Sequence, residues 1–220
     1  MRQRLIQQVG RSARLRVLNE LKRTPAGLPV RTLAEKLGMS YMGVKDLCID
    51  LEKRGLLDTW RQPTKVGRPQ MLYRLTARTH ELFPQASNPL TISILEVART
   101  LYGATAPEKL LLFTYQKTGD QYASRLKGST LAERVESLVR LRDQDGYMSE
   151  AETGDDGNFT IVEHHSPVLD ILRAFPIVAK FETELFERLL QTGVRREESA
   201  VSGLFQVTFR IPGSVPAVSA

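Results

Sequence analysis

The chain has 220 residues, 41% of them hydrophobic and 25% charged, enough for one large domain or two small ones with separate cores. Apolar runs such as Leu110 to Phe113 are far shorter than the roughly 20 residues of a membrane helix, and the start Met1-Arg2-Gln3-Arg4-Leu5 has no apolar signal core, so no membrane partner and a cytoplasmic location are expected. A lone cysteine, Cys48, excludes an internal disulfide framework, and the net charge of +6 is unevenly spread: residues 1–86 carry 17 Lys and Arg against 7 Asp and Glu, net +10, whereas residues 87–220 carry 14 against 18, net −4.

In chain order, Leu15, Leu18 and Leu21 predict a helix over Ser12 to Leu21, ended by Thr24-Pro25-Ala26-Gly27. Leu33, Ala34 and Leu37 predict a second over Val30 to Leu37, broken by Gly38-Met39-Ser40. A third is expected over Tyr41 to Lys53, with Ser40 as its N-cap, Val44, Leu47, Cys48 and Leu51 on one face, and Gly55 as its stop. The period then becomes extended, with strands at Leu56 to Arg61 and Met71 to Leu75 around a basic turn, Pro63-Thr64-Lys65-Val66-Gly67-Arg68-Pro69. A helix capped by Thr76 is expected to run to Phe83, and Pro84 to Pro89 reads as a domain boundary.

Beyond that boundary the pattern predicts helices over Thr91 to Tyr102, Pro107 to Leu126 and Leu131 to Arg142. Two strands follow, Tyr147 to Glu152 and Phe159 to Glu163, around the turn cluster Thr153 to Asn158. Helices over Pro167 to Ala174 and Pro176 to Gln191, then a second hairpin of Val194 to Val201 and Leu204 to Ile211, complete the pattern. The expected fold class is α+β: an N-terminal winged helix-turn-helix domain over residues 1–86, a mixed helix and hairpin domain for sensing or dimerisation over 87–212, and a disordered tail over 213–220.

Two helices joined by a glycine-containing turn, then a strand, a basic loop and a strand, follow the element order of a winged helix-turn-helix. Burying Val44, Leu47, Cys48 and Leu51 turns Ser40, Tyr41, Met42, Lys45 and Asp46 toward a major groove, where Lys45 suits guanine or phosphate and Tyr41 and Met42 suit a thymine methyl. Lys65 and Arg68 at the wing tip are expected on phosphates or in the adjacent minor groove, with Arg61 and Arg74 assisting from the strands. The alternative reading is a winged-helix module for protein assembly that never touches DNA. Cys48, on the apolar stripe, reads as a small core residue with a raised pKa rather than a redox switch.

Gly67-Arg68-Pro69, then Leu72-Tyr73-Arg74-Leu75-Thr76 and Leu82-Phe83-Pro84, resemble the winged-helix regulators of the iron-sulfur cluster biogenesis repressor (SufR) family. The resemblance continues through Glu133-Arg134-Val135, Asp145-Gly146-Tyr147, Glu163-His164-His165-Ser166-Pro167, Phe175-Pro176 and Glu182 to Leu190. It implies a dimeric bacterial DNA-binding regulator with a C-terminal sensor domain. Cluster-binding members place cysteines where this chain has Ser166, Ala179 and Val207, none of which offers a thiolate to iron, so no cofactor is expected.

Glu163, His164 and His165 invite a metal reading, but neighbouring side chains on a strand face opposite ways and the only other histidine is His80, so no metal is expected. Phe175, Ile177, Phe181, Phe186, Phe205 and Phe209 line either a pocket for a small-molecule effector or the domain's own core. Nucleophile-elbow, phosphate-loop and metal-ligand motifs are missing, so the expectation is a regulator acting as a homodimer on double-stranded DNA and not an enzyme.

Overall fold

The protein is described from a computed structural model, which covers residues 13–63, 69–83, 88–201 and 204–213. The chain is α+β and divides into two compact units, Met1–Phe83 with Ala200–Phe205, and Pro84–Ser199 with Gln206–Ala220. Among the described residues it contains eight α-helices and two small antiparallel sheets, and no helix long and apolar enough to cross a membrane.

The first unit begins with three helices, α1 (Ala13–Arg23), α2 (Val30–Leu37) and α3 (Tyr41–Lys53). Each contributes one apolar face to a common core: Val17, Leu18 and Leu21 from α1, Val30, Leu33, Ala34 and Leu37 from α2, and Val44, Cys48 and Leu51 from α3. Leu47, expected on that last stripe, is only half-buried. Gly38 ends α2 in the left-handed conformation (φ 61°), its N–H reaching back to Glu35. Two residues later Ser40 opens α3, its Oγ accepting from the Gly43 N–H at 3.1 Å. Ion pairs between Arg14 and Asp50 (3.0 Å) and between Lys36 and Glu20 (2.6 Å) tie the outer faces together.

Strands β1 (Leu57–Gln62) and β2 (Gln70–Leu75) form a hairpin in the register Leu57↔Leu75 to Gln62↔Gln70. A single bridge adds Leu28 as a third rung: its N–H and C=O both bond Tyr73 at 2.9 Å. Gly27 permits this approach. It sits at φ 93°, and a Cβ there would lie 2.8 Å from the Tyr73 carbonyl oxygen. The segment Ala77–Leu82, expected within a helix capped by Thr76, is a 3-10 helix. Its cause is local: the Thr76 hydroxyl, instead of capping, donates to Gly55 O at 2.8 Å, and both Thr79 N–H and hydroxyl close back on Thr76 O, the i, i+3 pattern.

The second unit holds α4 (Asn88–Tyr102), α5 (Ala106–Arg125) and α6 (Leu131–Gln144), strands β3 (Ser149–Thr153) and β4 (Phe159–Glu163), helices α7 (Leu169–Ala174) and α8 (Val178–Leu190), and most of strands β5 (Arg195–Val201) and β6 (Leu204–Ile211), whose adjoining ends belong to the Ala200–Phe205 segment of the first. The α4 helix starts three residues before its expected position, at Asn88, whose amide donates to Pro167 O at 3.0 Å. A reciprocal capping box opens α6: Thr130 Oγ1 accepts from Glu133 N–H, and the Glu133 carboxylate accepts from the Thr130 and Ser129 N–H groups, which hold its pKa down to about 2. The two hairpins legible in the sequence form one sheet, ordered β3-β4-β6-β5, because β4 pairs antiparallel with β6 from Phe159↔Ile211 to Glu163↔Val207. Its buried residues Ile161, Val207, Phe209 and Ile211 join Leu185, Phe186, Leu189 and Leu190 of α8 in the core, with Phe186 stacked on Phe209 at 4.0 Å.

That core encloses four charges. Arg142 of α6, 1% exposed, grips Glu163 through two bonds of 2.6 and 2.7 Å and reaches Glu182 of α8 at 3.3 Å. The other oxygen of Glu182 takes Arg196 at 3.1 Å, and Ser149 Oγ donates to Glu163 at 3.2 Å. The Arg142 guanidinium lies 3.2 Å from the centre of the Tyr147 ring. Burial pushes the Glu163 carboxyl above its ordinary value, and the guanidinium pulls against that shift. Two cations and two anions leave the cluster neutral, which is how charges persist in an apolar interior.

Candidate nucleic-acid interface

The first unit carries a cleft of about 610 Å³ between the start of α2, the first turns of α3 and the inner face of the hairpin. Its lining comprises Pro29, Val30 and Arg31, then Tyr41 and Lys45, then Arg61, Pro69, Gln70, Met71 and Tyr73. Three of these are cations and none is a carboxylate. Three separate elements supply the cations, so their convergence is a property of the fold and not of one basic run.

Local geometry explains each position. With Val44, Cys48 and Leu51 committed to the core, the 3.6-residue period places Tyr41 and Lys45, i and i+4, together on the side facing the cleft. On the hairpin, side chains directly opposite share a face: Arg61 pairs with Met71 and Thr59 with Tyr73, so Arg61, Met71 and Tyr73 all face the cleft. Arg31 enters from the first turn of α2, where it is exposed. Sequence reasoning did not select it, because no local period ties the start of α2 to the hairpin.

Of the nine residues expected on DNA, the cleft therefore gathers Tyr41, Lys45 and Arg61. Ser40 acts as the α3 cap. Met42, 58% exposed, and Asp46 stand on α3 outside the cleft lining. Lys65 and Arg68 lie outside the described residues. Arg74 departs from the expectation: alternation along β2 puts it on the opposite face from Arg61, where it binds Asp58, its cross-strand neighbour, through two bonds of 2.7 and 3.0 Å. That pairing neutralises its charge and raises its pKa.

Cys48 is fully buried beneath this surface, and burial, reinforced by Glu52, pushes its thiol up to about 12, which keeps it protonated and unreactive. Lys22 is a different matter. Its side chain is 1% exposed, its Nζ has no hydrogen-bond partner among the described residues, and the Phe83 ring centroid is 5.1 Å away. Burial lowers its pKa to about 8.

In the second unit, His164 and His165 are buried just past the end of β4, their backbone N–H groups donating to the Met148 and Tyr147 carbonyls, and His164 Nε2 is 3.6 Å from Glu150. Among the described residues, no group of three or more His, Cys, Asp or Glu is placed to hold a metal ion. Ser166, Ala179 and Val207 offer one hydroxyl and two hydrocarbon side chains, a donor set that does not fit an iron-sulfur cluster. Of the aromatic residues considered for an effector pocket, Phe175, Phe186 and Phe209 are buried in the core, and Phe181 borders a cleft of only about 220 Å³. Comparison with protein-family models, with curated proteins and with solved structures finds no match for the chain.

Proposed function

We propose that the chain is a DNA-binding transcription regulator of the winged helix-turn-helix kind. In this reading α3 enters the major groove, the β1–β2 hairpin is the wing on the backbone, and two copies act together on duplex DNA. The observation that carries it is the carboxylate-free cleft lined by Arg31, Lys45 and Arg61. Phosphates are the ligand such a surface suits, because each neutralised phosphate releases condensed counterions. The net charge of +10 on residues 1–86, against −4 on the remainder, places the basic excess on the same unit. Exposed Tyr41 and Met42 at the start of α3, beside Lys45, offer apolar and hydrogen-bonding groups to base edges. The motif order shared with the SufR family supports the same reading, without a cluster. It puts the protein beside the genome, in the cytoplasm of a bacterial cell.

Selection from a pool of random duplexes tests the proposal. Enrichment of a sequence with two related half-sites is expected, and Lys45→Ala with Met42→Ala should relax the preference within each half-site. A pool that stays random through repeated rounds would overturn the regulator reading in favour of a winged-helix module for protein assembly.

A further inference from the structure

The helix α4 presents two apolar faces in different directions. One, with Leu95 and Ala98, is buried in its own unit, and on that side the Arg99 guanidinium lies 5.4 Å from the centre of the Phe175 ring. Away from it, Leu90, Ile94, Val97 and Leu101 form a second row, exposed by 65, 57, 53 and 65%. At 3.6 residues per turn the four lie within about 60° of arc. Their 4-3-4 spacing is that of a two-helix seam with side chains interlocked. Tyr102 at the end of α4, and Leu110 and Phe113 on the neighbouring α5, are exposed as well, Phe113 by 67%. Single exposed hydrophobic residues are ordinary, but a continuous row is not.

We infer that this row is the seam on which a second copy of the chain packs. The pattern is complementary to itself: leucines stand at both ends, β-branched residues stand in the middle, and the spacing reads the same in either direction, as a contact across a two-fold axis requires. With aromatic side chains of about 150–250 Å² and smaller aliphatic ones, the seven exposed residues offer on the order of 600 Å², most of the ~800 Å² per partner of a standard interface, the remainder falling to the polar flanks. The row on α4 desolvates no charge, because the only charged residues between Leu90 and Leu101, Glu96 and Arg99, lie off the row and bind each other at 3.2 Å. Its flanks are Thr91, Ser93 and Thr100. A lipid surface would call for lysines or arginines along those flanks, and a nucleic acid for cations on the row itself.

The seam rests on the proposed function only for its purpose, which is to join two DNA-reading units so that their binding free energies combine. Sedimentation of the full chain and of Ile94→Asp/Val97→Asp tests it without DNA. The wild type is expected as a dimer at tens of micromolar, and the variant's dissociation constant should rise at least about 100-fold with an unchanged far-UV circular dichroism spectrum. Should that variant misfold, Leu90→Cys/Leu101→Cys supplies a second test: the two thiols are too far apart along one helix to bridge, and mild oxidation should yield a covalent dimer, whereas Glu108→Cys should not. A wild type that is monomeric at 100 µM (roughly the upper end of a useful assembly affinity), a dimer that survives the aspartates, or absent cross-linking would overturn the seam. A dimer that ignores DNA would leave the seam standing and remove the regulator reading; a monomer that binds DNA would do the reverse.

Discussion

Arg142 offers the sharpest test of how the second unit is held together. Replacing it with methionine leaves Glu163 and Glu182, both about 2% exposed, with Arg196, among the described residues, as the one cation bonded to the pair, through Glu182 at 3.1 Å. Replacing Glu163 with methionine leaves the buried guanidinium one bond of 3.3 Å to Glu182 in place of three. Each single change strands a charge in an apolar core and should cost about 3–5 kcal/mol. Making both changes removes one cation and one anion, keeps the Glu182–Arg196 pair, and should cost less than either alone. Urea unfolding followed by far-UV circular dichroism measures all three proteins. Trp60, the only tryptophan, lies in the first unit and monitors that unit separately. Single substitutions costing under about 1 kcal/mol, or a double variant equal to the sum of the singles, would refute the reasoning.

Lys22→Met should stabilise the first unit by about 2 kcal/mol at pH 7, from about 3 kcal/mol of relieved burial less about 1 kcal/mol of lost ring contact. The folded pKa of about 8 lies below the ordinary 10.5, so the unfolded chain binds more protons between these values and wild-type stability rises across that window. The gap between variant and wild type, read from Trp60 emission in urea, should therefore narrow from pH 8 to 10.5, and a constant gap would show that the amine is not buried. Gly27→Ala should destabilise the same unit by about 1–3 kcal/mol, because alanine resists the positive φ and its methyl meets Tyr73 O. Trp60 Nε1 bonds Ala26 O at 3.0 Å, so its emission reports the neighbourhood directly; an unchanged urea midpoint would contradict the role assigned to Gly27.

What the sequence discloses is what neighbouring residues decide. The α2 and α3 boundaries follow from apolar spacing, the Gly38 turn and the Ser40 cap, all settled within a few residues. The β1 and β2 strands follow from alternation, β1 shifted by one residue and β2 longer by one at its start. Decisions made by distant partners are not legible in this way. Arg61 and Arg74 look alike in sequence, and only the hairpin register separates the arginine that faces the cleft from the one bound to Asp58. Arg31 joins the cleft because α2 and the hairpin are brought together by the Leu28–Tyr73 bridge, a contact across 45 residues, which no local period encodes. The pairing of β4 with β6, and the meeting of Arg142, Glu163, Glu182 and Arg196, depend likewise on four elements far apart in the chain. On α4 the period marks apolar positions correctly, yet it does not say that Leu95 and Ala98 turn inward while Leu90, Ile94, Val97 and Leu101 turn out.

The central claim, that the cation-lined cleft binds duplex DNA through its phosphates, is tested most directly by titrating a labelled random duplex with the full chain at a series of salt concentrations. Affinity should fall steeply between about 50 and 200 mM salt, and Arg31→Ala/Lys45→Ala/Arg61→Ala should both weaken binding and reduce the slope of log K against log salt by about 3, one for each lost phosphate contact. Binding that does not depend on salt, or a triple variant with the wild-type slope, would contradict the account.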